Sequence, residues 1–231
     1  MELRGCAPYA PAGGGRMSRL KITTALSSFG GAAAREPGNR PILLLMHGYG
    51  SHEDDLTSLL PALGSHFDWA SLRAPLVLRE QTPAEVGSYA WVPIDRPGLP
   101  DPEQASAATD AVLAWLDEHT PPAANVIPIG FSQGGLMVTQ LLRRDPQRFE
   151  RGAVLSGFSL QGEQPGDAEL ARIRPAVYFG RGDRDQIISD GTFERTTGWL
   201  AGHATATERL YEGLAHGISP QELQDLAAFL S

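Results

Sequence analysis

The chain has 231 residues, of which 42% are hydrophobic and 20% charged, values that suit a single domain with a substantial core. Its net charge of −8 argues against nucleic acid or an anionic membrane surface as the main partner. The only cysteine is Cys6, which rules out an intramolecular disulfide and fits a reducing cytoplasm.

In chain order, residues 1–17 are rich in Gly, Ala and Pro and are expected to be a disordered tail, with Met17 a possible alternative start and 18–231 a single folded domain. The first thirty residues lack a signal-peptide core, being broken by Arg4, Pro8, Pro11 and Arg16. No run approaches the roughly eighteen apolar residues of a membrane span. A cytoplasmic protein without integral membrane contact is therefore expected.

Leu20 to Ser27 alternates polar and apolar residues and reads as an edge strand, followed by a Gly/Ala/Pro loop from Gly30 to Arg40. Pro41 to Met46 is a continuous apolar run, the mark of a central strand buried on both faces. Asp54 to Leu63 reads as a short helix and Trp69 to Arg73 as a strand. Residues 74–101 hold several prolines and little periodicity, and read as a long loop. Pro102 to His119 is an amphipathic helix. Strands follow at Asn125 to Ile129, Gly152 to Ser156, Ala176 to Gly180 and Thr205 to Tyr211, with helices at Gly135 to Arg144 and Phe193 to Ala201. A final helix opens at Ser219 with Pro220 at its first position and Glu222 three residues on, the pattern of a capping box. Strand and helix alternate throughout, so the class is α/β with a mostly parallel central sheet.

The most telling segment is Gly130-Phe131-Ser132-Gln133-Gly134, set between a strand and a helix. A strand-to-helix reversal in so few residues forces the central backbone into a strained conformation and leaves no room for side chains two residues away. The central hydroxyl is then projected above the sheet, at the positive end of the following helix. Ser132 is the candidate nucleophile.

A serine hydroxyl needs a base, and the base an orienting acid. On this kind of sheet the chain order is Ser, then acid, then His. His203 and His216 both follow Ser132. His203 ends a helical stretch, whereas His216 lies in the loop after the last strand, where α/β sheets place their sites, so His216 is the candidate base. The acid belongs in Gly182-Asp183-Arg184-Asp185, and the bare sequence leaves Asp183 and Asp185 open, with Asp190 a weaker alternative. The backbone N–H groups of Gln133, directly after the nucleophile, and of Tyr49, in the His47-Gly48-Tyr49-Gly50 loop, are the candidate oxyanion donors. No metal-ligand spacing such as H-E-x-x-H occurs, and no cofactor is expected.

Together with Leu155-Ser156-Gly157 and Gly213-Leu214-Ala215-His216, these pieces make the chain resemble the α/β-hydrolase superfamily. Within it the chain is similar to the phospholipase/carboxylesterase family, which includes bacterial carboxylesterases and acyl-protein thioesterases. That resemblance spans residues 40–220. It implies an α/β-hydrolase fold without a large cap domain, and a catalytic set of Ser132, Asp185 and His216, with Asp185 as the second acid of the G-D-x-D pair. It also implies hydrolysis of small or medium acyl esters or thioesters through an acyl-enzyme on Ser132. One departure is visible: family members usually carry Pro and Val after the catalytic Asp, where this chain has Gln186-Ile187-Ile188. Leu76, Leu78, Trp91, Phe158 and Leu160 are the candidate pocket-lining residues. The rival readings are a catalytically silent ligand-binding protein on the same fold, or peptide cleavage or perhydrolysis by the same triad. A monomer or homodimer acting on a small-molecule ester or thioester is expected.

Overall fold

A computed structural model describes residues 19–29, 40–94 and 99–231. The expected tail at 1–17, Cys6 and most of the Gly30 to Arg40 loop lie outside these.

The framework is a seven-stranded sheet. Its strands are β1 (Ala25–Ser27), β2 (Ile42–Met46), β3 (Asp68–Leu72), β6 (Val126–Phe131), β7 (Arg151–Leu155), β8 (Ala176–Gly182) and β9 (Thr205–Tyr211). They lie in the order β1-β3-β2-β6-β7-β8-β9, parallel throughout except for antiparallel β1 at one edge. β2 shows why the sequence gives this sheet. All five of its residues, Ile-Leu-Leu-Leu-Met, are buried, and successive side chains point to opposite faces. Ile42, Leu44 and Met46 join the core under α2 (Pro102–His119), α3 (Gln133–Arg144) and α5 (Asp190–His203). Leu43 and Leu45 join a second core with Leu63 of α1 (Leu60–Leu63) and with Leu226 and Leu230 of α6 (Pro220–Leu230). A strand apolar on both faces is stable only with helices on both sides.

Helix starts follow local chemistry. Asp101 caps α2, its carboxylate accepting from the Glu103 and Gln104 N–H groups, with Pro102 in the first turn. Ser219 caps α6, accepting from Glu222 N–H at 3.0 Å. The capping box foreseen here is only half made. The Glu222 carboxyl is fully buried and has no well-formed hydrogen bond of its own.

Three expectations are corrected. Residues 74–101 are not one long loop: β4 (Leu76–Arg79) and β5 (Ser88–Ala90) form an antiparallel hairpin beside the main sheet. The N-terminal strand is shorter than expected, since only Ala25 to Ser27 pair with β3. The segment Asp54 to Leu63 is a 3-10 turn, Asp55–Leu59, running into the single-turn α1. A seven-residue helix, α4 (Asp167–Ile173), had no counterpart in the sequence reading. The remaining elements fall within about three residues of expectation, the usual scatter of element ends. The fold is that of an α/β hydrolase without a large cap domain among the described residues.

Candidate active site

β6 delivers Ser132 to the C-terminal edge of the sheet, and α3 begins at the next residue. Ser132 has φ 55° and ψ −115°, outside the regions an L-residue adopts freely, at a cost of about 1–3 kcal/mol. Its N–H donates to Leu155 O on β7 at 2.9 Å, and its carbonyl accepts from Leu136 N–H at 3.2 Å. The flanking glycines are compulsory. A Cβ on Gly130 would sit 2.0 Å from the Gly134 carbonyl oxygen, and one on Gly134 would sit 1.8 Å from the Met46 carbonyl oxygen. The close approach therefore packs the elbow against its own turn and against the end of β2.

His216 arrives from the loop between β9 and α6. Its Nδ1 lies 2.7 Å from Asp185 Oδ2. The Asp185 side chain is 1% exposed and that of His216 is 16% exposed, so the carboxylate is hidden behind the ring. Asp185 Oδ1 accepts from the N–H groups of Ile187 at 2.8 Å and Ile188 at 3.0 Å. Two backbone donors on one oxygen and the imidazole on the other fix the carboxylate. The arrangement places the proton on Nδ1 and leaves the Nε2 lone pair available. The Phe131 ring lies against the imidazole, with centroids 4.9 Å apart.

Asp183 does something else. It binds the two loops together, Oδ1 accepting from Gly213 N–H at 2.6 Å, while Asp183 N–H donates to Tyr211 O and Arg184 N–H to Leu214 O. The alternative histidine, His203, closes α5 with Nδ1 on the Trp199 carbonyl oxygen, and Asp190 starts that helix. Neither lines the cavity that holds Ser132.

Tyr49 and Gln133 line the same cavity as Ser132 and His216, which has a volume of about 290 Å³. The Tyr49 loop is pinned to the hairpin: Gly50 N–H donates to Tyr89 O at 2.8 Å, and Tyr89 N–H to Ser51 O at 2.9 Å. The Gln133 side chain also has a job that sequence reasoning missed. Its Oε1 accepts from Trp91 N–H at 2.9 Å and its Nε2 donates to Val92 O at 2.7 Å. It thereby clamps the chain that follows β5 against the start of α3. Below it, the Trp91 indole N–H donates to His47 O at 2.8 Å. His47 is itself a neutral structural group. Ala74 N–H donates to its Nε2, its Nδ1 faces Gly48 O, and burial pushes its pKa down to about 4.

Of the expected pocket-lining residues only Phe158 lines this cavity. Trp91 is fully buried beneath it, against His47. Leu160 is buried in the core, and Leu76 and Leu78 lie on β4 of the hairpin, with Leu78 exposed. The apolar wall comes instead from Val92, Pro93, Ile94, Pro100, Ile187 and Ile188. Ile187 and Ile188 belong to the Gln186-Ile187-Ile188 run that follows Asp185, so part of the departure noted in the sequence lies in the wall. The lining also includes Ser51 and Asp55, joined by a hydrogen bond of 2.6 Å. Among the described residues no cluster of His, Cys, Asp or Glu is placed to hold a metal, and no helix is long and apolar enough to cross a membrane.

Comparison with known proteins identifies the family and the fold. A model of the family described as Phospholipase/Carboxylesterase matches residues 32–231. Among its relatives, acyl-protein thioesterase 1 of Mycosarcoma maydis is 27% identical over 135 residues, 54% of each chain. Acyl-protein thioesterase 1 of Kluyveromyces lactis is 29% identical over 162 residues, 64% of this chain and 68% of the relative. The chain thus spans from about half to two thirds of the length of these relatives. In three dimensions a Bacillus cereus carboxylesterase superposes with a TM-score of 0.71 at 19% identity, covering 89% of this chain and 92% of the other, a likeness of fold.

Proposed function

Since the chain belongs to the phospholipase/carboxylesterase family, we propose that it is a serine hydrolase that cleaves carboxylic esters or thioesters of small-molecule substrates. The observation that carries this reading is the joint geometry of Ser132 and His216 on one cavity, with Asp185 buried behind the imidazole. In the proposed mechanism His216 Nε2 takes the Ser132 proton as Oγ attacks the carbonyl carbon. Asp185 holds the tautomer and stabilises the imidazolium that forms. Negative charge moves onto the carbonyl oxygen and is met by the N–H groups of Tyr49 and Gln133, fixed in advance by the hairpin and by the first turn of α3. The tetrahedral species collapses by expelling the alcohol or thiol, which takes its proton from His216. Water, activated by the same imidazole, then releases the acid and restores Ser132.

Residues 18–231 act in this reading as one hydrolase domain. Cysteine usage, with Cys6 alone, supports a cytoplasmic site of action, with a monomer or homodimer as the working unit. The names of the relatives support ester and thioester cleavage over the ligand-binding reading. The experiment is a series of p-nitrophenyl esters and acyl thioesters of increasing chain length, with the wild type and Ser132→Ala side by side. Turnover that vanishes in the variant is expected; turnover retained by the variant would end the proposal.

A further inference from the structure

The lining of the candidate cavity is of two kinds. Val92, Pro93, Ile94, Pro100 and Phe158 give one wall without a polar side-chain atom, whereas Ser51 and Asp55 present a hydroxyl and a carboxylate. Both polar groups follow the Tyr49 loop directly, and Asp55 opens the 3-10 turn behind it. The Ser51 hydroxyl donates to Asp55 Oδ2 at 2.6 Å, which orients the carboxylate and leaves Oδ1 without a hydrogen-bond partner among the described residues. No Lys or Arg and no second carboxylate is found among the described residues of the lining. The neighbouring acid, Glu53, does not change this. Its charge is taken up by Arg73, whose Nε donates to Glu53 Oε2 at 2.7 Å. Among the described residues of the lining, Asp55 is therefore a carboxylate with no cation beside it.

An ester or thioester has two arms. The more numerous apolar side chains suit the acyl chain, which leaves the Ser51–Asp55 pair to the departing alcohol or thiol. We infer that Asp55 sets the charge preference of the departing group: positively charged or hydrogen-bond-donating alcohols and thiols are favoured, and those bearing a carboxylate or phosphate are disfavoured. This rests on the hydrolase reading and deepens it. A lone charge several ångströms from a charged leaving group in a partly wet cleft changes the interaction by about tenfold in rate terms. It acts with opposite sign on cation and anion.

The test uses three butyryl thioesters with departing thiols of similar size: thiocholine, which is cationic, 3-mercaptopropionate, which is anionic, and propanethiol, which is neutral. Thiol release at low ionic strength gives kcat/KM for each. The wild type is expected to favour the cation over the anion by about tenfold or more, with the ratio falling as salt screens the charge. Asp55→Asn should lower that ratio by about tenfold, while Asp55→Glu, which keeps the charge, should keep most of it. A ratio that is unchanged in a folded Asp55→Asn protein, or insensitive to salt in the wild type, overturns the inference while the hydrolase reading stands. A wild type that leaves the neutral thioester intact overturns both. Should Asp55→Asn melt early, Asp55→Ser and the wild-type salt series give the same decision.

Discussion

The two sides of the candidate site are held in place by different means. Ser132, Asp185 and His216 sit at the ends of strands or in the loops that follow them, and each is fixed by backbone hydrogen bonds or by forced glycine contacts. The apolar wall is assembled from side chains of separated positions, 92–94, Pro100, Phe158 and 187–188, with Ile94 and Ile187 exposed. A reacting group displaced by an ångström loses its chemistry, so a rigid frame serves it. A wall that only excludes water and selects by size tolerates change. In the proposed reading, reactivity is carried by strand ends and the loops directly after them, and selectivity by the side chains around the cavity.

Substitutions on the two sides should separate in size and in kind. The largest effect is expected for Ser132→Ala, which should lower kcat/KM by roughly 10⁴-fold or more with a nearly unchanged melting temperature; substantial remaining turnover would remove Ser132 from the mechanism. Asp185→Asn should cost on the order of 10²–10⁴ in kcat. Asp183→Asn, which loosens two loops without touching the imidazole, should cost less than about tenfold; steady-state kinetics in the reverse order would move the acid. Gln133→Ala keeps the backbone donor but strands the Trp91 N–H and the Val92 carbonyl. It should destabilise the fold by about 1–3 kcal/mol, read by denaturant titration, with a smaller kinetic loss than either triad change. On the wall, Ile187 is 62% exposed. Ile187→Ala should leave stability alone and raise KM a few-fold for longer acyl chains only, since each lost methylene contact is worth under about 1 kcal/mol.

A further test concerns the buried acid in the first turn of α6. Burial pushes the pKa of Glu222 up to about 7, against the pull of the Ser219 backbone N–H. An acid whose folded pKa is raised holds its proton in the native state while the unfolded chain has released it. Its contribution to stability is thus present below about pH 4.5 and is lost as pH rises to about 7. Glu222→Gln should remove that loss, so the variant should gain stability on the wild type as pH rises from about 5 to 8, by at most about 3 kcal/mol. Melting curves that run parallel across that range would show that Glu222 is not buried as an acid.

Much of the frame was legible because its causes are local. A Cβ at either flanking glycine would strike backbone within a few residues or on the adjacent strand, and only glycine escapes, so the pattern around Ser132 carries its own explanation. The long helix at 102–119 announced itself through its amphipathic pattern, with Pro102 and Glu103 in its first turn. The pair Asp183 and Asp185 was not separable from local sequence, because the choice depends on where the His216 loop lands. The wall was largely illegible for the same reason. Trp91 is an aromatic near the site in sequence, yet its indole N–H finds a buried carbonyl at His47 and the ring turns inward. The hairpin at 76–90 was hidden because strands of four and three residues show too little alternation to register. The helix α4 spans seven residues, with Leu170 its only buried apolar side chain.

The most direct measurement is an intact-mass and peptide spectrum after incubation with a fluorophosphonate, on the wild type and on Ser132→Ala in parallel. Expected is a single adduct on Ser132, absent from the variant, since only a serine already paired with its base reacts quickly with that reagent. A folded wild type that takes up no adduct, or takes it elsewhere, would contradict the assembly of Ser132, His216 and Asp185 into a working triad.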